Sequence, residues 1–557
     1  MLRPIYRFSQ ALLVLFIIFI TQTSGLAAQT VNFSFNAVPS TVGDVQPTRI
    51  SGVIATSFPL KDGNAVVQIR DASGKIVFEK DISSLNFQSG AKVPISFRYT
   101  PVSSGIFSIS AGLFSSDWST TYQWTDKLAS LVVSSSTATT TYYVSPTGSD
   151  GNPGTLSAPF QTIGHAVALA KPGTDIIVRA GTYYEAVRIR SSGTASAPIR
   201  LYADSGEKVI VDGSKNSTNT DNIEVDGAYV VVNGLNVQGA TKSGIIAYNT
   251  HHVTISNNIV HGSYGDGIVS TNWINIGNSH DNIIAGNTVY NNVLQNQSRT
   301  SSTWGQGISV SWDNNSVIEE NASYNNYGEG IGTFLSVGVA ILNNTVYDNF
   351  SVEIYLDNAS NATVNANSIY NTGNSGFFRN GSQASSIQLA RETYSQSEPL
   401  SNLKITNNVA INGSFGLFYG NYGSGGGIQS SVIANNTFAS ANVNEIYIDP
   451  SSGHSGNTYA NNIVYEAPVD NRTLVAGSNS GATFLHNNWF GGSAGAFSGV
   501  GDVVADPQFV NAGALAATDY VLQSTSLCKQ AGVSLSQVAT DYFGQSRVVP
   551  PTIGAFN

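Results

Sequence analysis

Apolar and polar residues alternate in short runs along most of this chain, and Asn and Gly punctuate the runs. VTISNN, VAILNN and LKITNN are typical. Period-two alternation rich in β-branched residues predicts strands. Asn321, Asn344 and Asn367 are 23 residues apart, and ten places after them stand Ile331, Ile354 and Phe377. Asn258 with Ile268 and Asn436 with Ile446 keep the same offset. Asn287 with Ile308 fits if residues 293–304 are an insertion, and Asn408 with Leu417 comes one place short. A coil of this length, made only of strands and turns, must close on itself and stack on its neighbour. That predicts an all-β parallel solenoid with rungs about 4.8 Å apart. Asn tolerates left-handed turns and its amide can bond along a ladder, so the column reads as structural. The sequons at Asn343 and Asn435 read as part of this repeat.

The pattern divides the chain. In residues 1–28, Arg3 and Arg7 precede an apolar run over 11–20, and Ala27 and Ala28 follow. That order predicts a secretory signal, and the run is short for a membrane span. Residues 29–133 hold alternating runs such as AVVQIRDASGKIVFEK and VPISFRYTP, separated by turn residues. They predict a small antiparallel β-sandwich. Residues 134–141 form a Ser/Thr linker. Residues 142–557 carry the solenoid. A helical run at 160–170, stopped by Pro172, precedes it and would cover its open end.

Two resemblances follow from these stretches. GLFSSDWSTTYQWTDKLASLVV, with Phe114, Trp118, Tyr122 and Trp124, looks like the last hairpin of Ig-like accessory domains in secreted carbohydrate-active proteins. Exposed, these aromatics would stack on sugar rings; the favoured expectation is that Trp118 and Trp124 pack the sandwich core and the interdomain contact. The segment TYYVSPTGSDGNPGTLSAPFQTIGHAVALAKPGTDIIVRAGTYYE, followed by IRLYADSGEKVIVDGS, is similar to the opening of right-handed parallel β-helix proteins of the pectate-lyase-like superfamily. DVVADPQFV and DYFGQSRVVPPTIGAFN resemble their closing segment. The resemblance implies a right-handed parallel β-helix. The superfamily holds lyases, glycosidases, epimerases and non-enzymes, so activity must come from the site.

Composition narrows the partners. Only 11% of residues are charged, the net charge is −10, and there are 55 Gly and one Cys, Cys528. There is no basic patch for nucleic acid, no intrachain disulfide and no cysteine metal cluster. The expected molecule is a secreted or cell-surface monomer. It acts on an extracellular polysaccharide and is free of membrane once the signal is removed.

Candidate chemistry lies on strand EIYLD. Period two sends Ile354 and Leu356 inward and Glu353, Tyr355 and Asp357 outward. Gly330 and Gly332 one coil earlier leave a shallow floor, which residues 293–304 and 382–401 would wall. Paired carboxylates on such a floor suit glycoside hydrolysis. Glu353 and Glu329 are the first-choice acid and nucleophile, in either order, with Asp357 and Asp313 as substitutes. EIYLD also looks like the acid-bearing strand of some β-helix glycosidases. Tyr355 and Arg379 would orient the sugar, Phe334, Phe378, Trp273 and Trp304 would contact it, and Lys242 is the basic candidate near the turn. No metal or cofactor is expected for a hydrolase. A polysaccharide lyase is the alternative enzyme and would bring Ca²⁺ against a uronate. A non-catalytic glycan-binding protein is the third reading. The Asp-Pro-His signature of alginate epimerases is absent, and His251, His252 and His261 read as turn residues.

Overall fold

The computed structural model describes residues 30–38, 41–43, 48–87, 92–99, 101, 104–134, 139–272, 278–300, 304–394, 400–422, 426–469 and 473–557. The predicted signal at 1–28 and half of the linker, 135–138, lie outside them. No helix among the described residues is long and apolar enough to cross a membrane.

The N-terminal part is two sheets face to face. Val31–Val38, Thr48–Thr56 and Lys92–Tyr99 form an antiparallel three-stranded sheet, and a five-stranded sheet faces it. Phe35, Ile54, Val67, Phe97, Phe107 and Leu131 meet between them, as alternation requires. Trp118 departs from expectation. It sits at φ 63° in the hairpin, 44% exposed, against the ring of Phe114 rather than in the core. Trp124 is only half-buried and bonds Asp126 through its indole N–H. The sandwich touches the flank of the solenoid through Arg98–Glu319 at 2.8 Å and Asn86–Asp519 at 2.8 Å.

From Thr140 onward three parallel sheets of 13, 12 and 11 strands wrap one core, forming a parallel β-helix. Ile163–Ala168 is the capping helix, with Thr162 as N-cap and Ile163, Ala166 and Val167 turned onto the first rungs. The Asn column is a continuous hydrogen-bonded ladder. Each Nδ2 donates to the Oδ1 of the next, from Asn258 through Asn287, Asn321, Asn344 and Asn367 to Asn408, at 2.9–3.1 Å. Each also donates to a backbone carbonyl, so a buried amide closes the turn with its bonds made. A second ladder runs Asn292, Asn326, Asn349 and ends on Glu353.

One register differs from the sequence arithmetic. Ile354 pairs with Ile387, not with the equivalent of Phe377. The rung after Val352–Asp357 is Ser385–Ala390, ten residues later than a strict repeat demands. Phe377 belongs to a short 3₁₀ turn, Ser375–Phe377, in an excursion between the strands. The stretch 382–401 therefore contains a rung strand and is not one insertion.

Candidate functional site

The third sheet carries the candidate site on its outer face. Its strands Gln306–Ser311, Glu329–Phe334, Val352–Asp357, Ser385–Ala390 and Phe415–Gly420 are in parallel register. Along the middle of that face the register aligns Ser309, Gly332, Tyr355, Gln388 and Phe418. One edge aligns Gln306 with Glu329, and the other aligns Phe334 with Asp357.

Glu392 and Tyr394, just past the Ser385–Ala390 strand, complete a cluster over Tyr355 and Asp357. Tyr355 Oη donates to Glu392 Oε1 at 2.7 Å. Tyr394 Oη lies 3.0 Å from Asp357 Oδ2 and 3.0 Å from Glu392 Oε2. Asn358 fixes this turn, accepting from the Glu392 N–H at 2.6 Å and donating to the Glu392 carbonyl. Glu329 accepts from Gln306 Nε2 at 2.7 Å. Asp266, farther up the edge, accepts from the Gln306 backbone N–H.

The electrostatics follow from burial without a cation. Asp357 is 4% exposed, and burial, then the Glu392 charge, push its carboxyl up to about 7. Among the described residues its Oδ1 has no hydrogen-bond partner. Glu329, also 4% exposed, is pushed up to about 8 by burial and by Asp357, Glu392 and Asp266, against the Gln306 bond. Burial also raises Tyr355 and Tyr394, so both stay phenols. The proton count is informative. Tyr394 has one proton and faces two carboxyls at bonding distance, so one contact needs a protonated acid. Asp357 holds its proton to about pH 7 and supplies it.

The sequence candidates sort as follows. Glu329, Tyr355 and Asp357 come together here. Phe334 is near them, wedged between the rings of Trp312 and Tyr394 at 4.5 and 4.7 Å, so it backs the wall. Arg379 rises at the opposite wall, over the Trp304 ring at 4.2 Å, with a bond to Ser351 Oγ at 3.2 Å. Phe378 is half-buried beside it. Lys242 lies three rungs before Glu329 and donates to Asp221 at 2.8 Å. Trp273 lies outside the described residues.

Two expected placements are corrected. Glu353 does not project outward. It is 0% exposed and accepts from the N–H and Nδ2 of Asn349, at 3.2 and 2.6 Å, and from Asn371 Nδ2 at 3.3 Å. Glu353 lies inside the strand, but the pairing register skips it, running from Val352–Ser385 to Ile354–Ile387, so strict alternation fails at this residue; burial holds this carboxyl well above its usual range. A Cβ on Gly330, one rung earlier, would meet Val346 and Asn349 rather than open groove. Asp313 is likewise 0% exposed, inside a net of Ser270, Ser316 and Asn282. Glu392 and Tyr394 were not anticipated. They lie on a non-repeating segment, and their one signal is an acid and an aromatic two apart beyond a rung strand.

Residues 142–457 match the family model described as Pel9A-like, right handed beta helix region. A stretch of 132 residues is 33% identical to the uncharacterized protein YwoF of Bacillus subtilis (strain 168), covering 22% of this chain and 28% of that protein. A stretch of 75 residues is 51% identical to pectate lyase PEL9 of Emericella nidulans, covering 13% of this chain and 18% of that protein. The chain thus matches under a third of either relative's length. The solved structure of XylC with xylose is 14% identical and covers 75% of this chain and 98% of its own, with a TM-score of 0.50. That of pectate lyase Pel9A is 19% identical, covers 76% and 97%, and has a TM-score of 0.49. On the family model, which spans more than half of its residues, the chain belongs to the Pel9A-like right-handed β-helix family.

Proposed function

We propose that this chain is a secreted enzyme that cleaves a uronate-containing polysaccharide by β-elimination in the groove over Glu329, Tyr355 and Asp357. The observation that carries the proposal is Tyr394 Oη bridging Asp357 and Glu392, which gives an acid and a proton acceptor side by side. The 75-residue likeness to pectate lyase PEL9 supports elimination over hydrolysis.

In this reading Glu392 takes the proton at C5 of the uronate ring. The electron pair forms the C4–C5 double bond, and the bridging oxygen leaves with the proton of Asp357. Tyr394 then returns the proton from Glu392 to Asp357. Near neutral pH Glu329 is protonated and donates to the uronate carboxylate, and Arg379 faces it from the wall. Both lower the charge that resists loss of the C5 proton. Neutral acids also let an anionic chain enter a carboxyl-rich groove.

Calcium is the cofactor that a lyase of this kind would bring. It takes about six to eight oxygens converging on one point. The groove offers oxygen donors, and the bare Asp357 Oδ1 is one of them. Among the described residues, however, no three groove carboxyls bring an oxygen each within 4.8 Å of one another. The arrangement does not fit a calcium ion.

The same acid and acceptor also support glycoside hydrolysis, with Asp357 as acid and Glu392 or Glu329 as its partner. Purified chain incubated with polygalacturonate, alginate and xylan distinguishes the readings. Elimination gives ultraviolet absorbance and reducing ends together on a uronate polymer. Reducing ends without absorbance would mean hydrolysis. Neither signal on any polymer would overturn both and leave a glycan-binding protein.

A further inference from the structure

A left-handed turn before the first parallel sheet recurs once per rung. Down the ladder its positive-φ residue reads His252, Asp281, Asn315, Gly338, Asn361 and Asn402. Asn and Gly suit this geometry. Two successive rungs instead carry His252 and Asp281. The residues just before these, His251 and His280, form a parallel bridge, and their rings stack 4.7 Å apart at 7°.

Four ligand-type side chains thus stand on two adjacent positions of two adjacent rungs. One ligand atom each from His252, His280 and Asp281 lie within 4.8 Å of one another. His251 Nδ1 is 2.8 Å from His252 Nδ1, and His280 Nδ1 is 2.8 Å from Asp281 Oδ2. The Tyr229 ring stacks on His252 at 4.6 Å and holds it from below. Two imidazole nitrogens that close share one proton. A tetrahedral cation with bonds of about 2.0–2.1 Å spaces its ligands about 3.3 Å apart, so donor atoms of His252, His280 and Asp281 that already lie within 4.8 Å of one another need only a small approach to hold one. Mixed nitrogen and carboxylate donors suit zinc better than calcium.

We infer that His252, His280 and Asp281, with His251 beside them, form a binding site for a divalent transition cation of the zinc class that clips two rungs together. The site shares no residue with the third-sheet groove.

The test titrates untagged, metal-stripped full chain with Zn²⁺ by calorimetry and records the visible spectrum with Co²⁺. The expected result is one equivalent bound at micromolar affinity or tighter, with the intense bands of tetrahedral cobalt. His252→Asn and Asp281→Asn place a residue suited to left-handed geometry and should weaken binding at least about tenfold. His261→Asn, on another column, should bind as the parent does. Circular dichroism establishes that each variant is folded; should His252→Asn unfold, Asp281→Asn decides alone. A parent that binds no equivalent of Zn²⁺ or Co²⁺, or a folded Asp281→Asn variant that binds as tightly as the parent, would overturn the site.

Discussion

Asp357→Asn separates what this site does for chemistry from what it costs the fold. The side chain is 4% exposed, and among the described residues its Oδ1 has no partner. Its carboxyl titrates near 7 in the folded chain against 3.8 for an unperturbed Asp. Between those values the unfolded chain has lost the proton and the folded chain still holds it. The folded state therefore binds more protons, and stability falls as pH rises through that window, then levels above about 7. At about 1.4 kcal/mol per pH unit, the gap amounts to a ceiling of about 4 kcal/mol. Asn has nearly the same shape and no charge. The variant should match the parent near pH 4 and become the more stable of the two by pH 8. Its amide cannot deliver a proton to a leaving oxygen, so cleavage should drop by about 10²–10⁴-fold. Urea unfolding followed by circular dichroism at several pH values measures the first effect, and initial rates on the best uronate polymer measure the second. A variant that cleaves at the parental rate, or whose stability advantage does not grow between pH 4 and 7, would refute the role of Asp357 as the held acid.

Three other outcomes are expected. Glu353→Ala leaves the Asn349 donors unpaired in a fully buried place and should cost about 1–3 kcal/mol by urea midpoint, while folded protein keeps its cleavage rate. Asn344→Ala strips partners from the Asn321 N–H, the Ile318 carbonyl and the Asn367 Oδ1, and should cost about 3 kcal/mol or more with little change in activity of what remains folded. Chelation with EDTA should leave the initial cleavage rate unchanged; abolition restored by added Ca²⁺ would contradict the reading of the groove.

The fold was legible because each rung repeats the same physical problem. A buried turn needs a side chain that both donates and accepts, and Asn321, Asn344 and Asn367 supply it at a fixed spacing of 23 residues. The repeat failed where the chain leaves it. The excursion around Phe377 sits between two rungs without breaking either, so counting alone put Phe377 where Ile387 belongs. Glu353 misled for a local reason: alternation needs an unbroken ladder, and the pairing skips Glu353 between Val352 and Ile354. Tyr355 and Asp357, deeper in the same strand, point as the pattern says. Glu392 and Tyr394 lie beyond the reach of any period, since only the fold returns that segment over Tyr355 and Asp357. The ligand group at His252, His280 and Asp281 was hidden in the same way, because an insertion lengthens that coil and separates residues that stack as neighbours.

The most direct measurement is a crystal structure of the Asp357→Asn variant with a uronate oligosaccharide bound. The account predicts a uronate ring over Tyr355 and Gln388, with the scissile oxygen beside residue 357, C5 facing Glu392 and the sugar carboxylate within reach of Glu329 or Arg379. An oligosaccharide seated on another face of the β-helix, or along Asp221 and Lys242 instead, would contradict it.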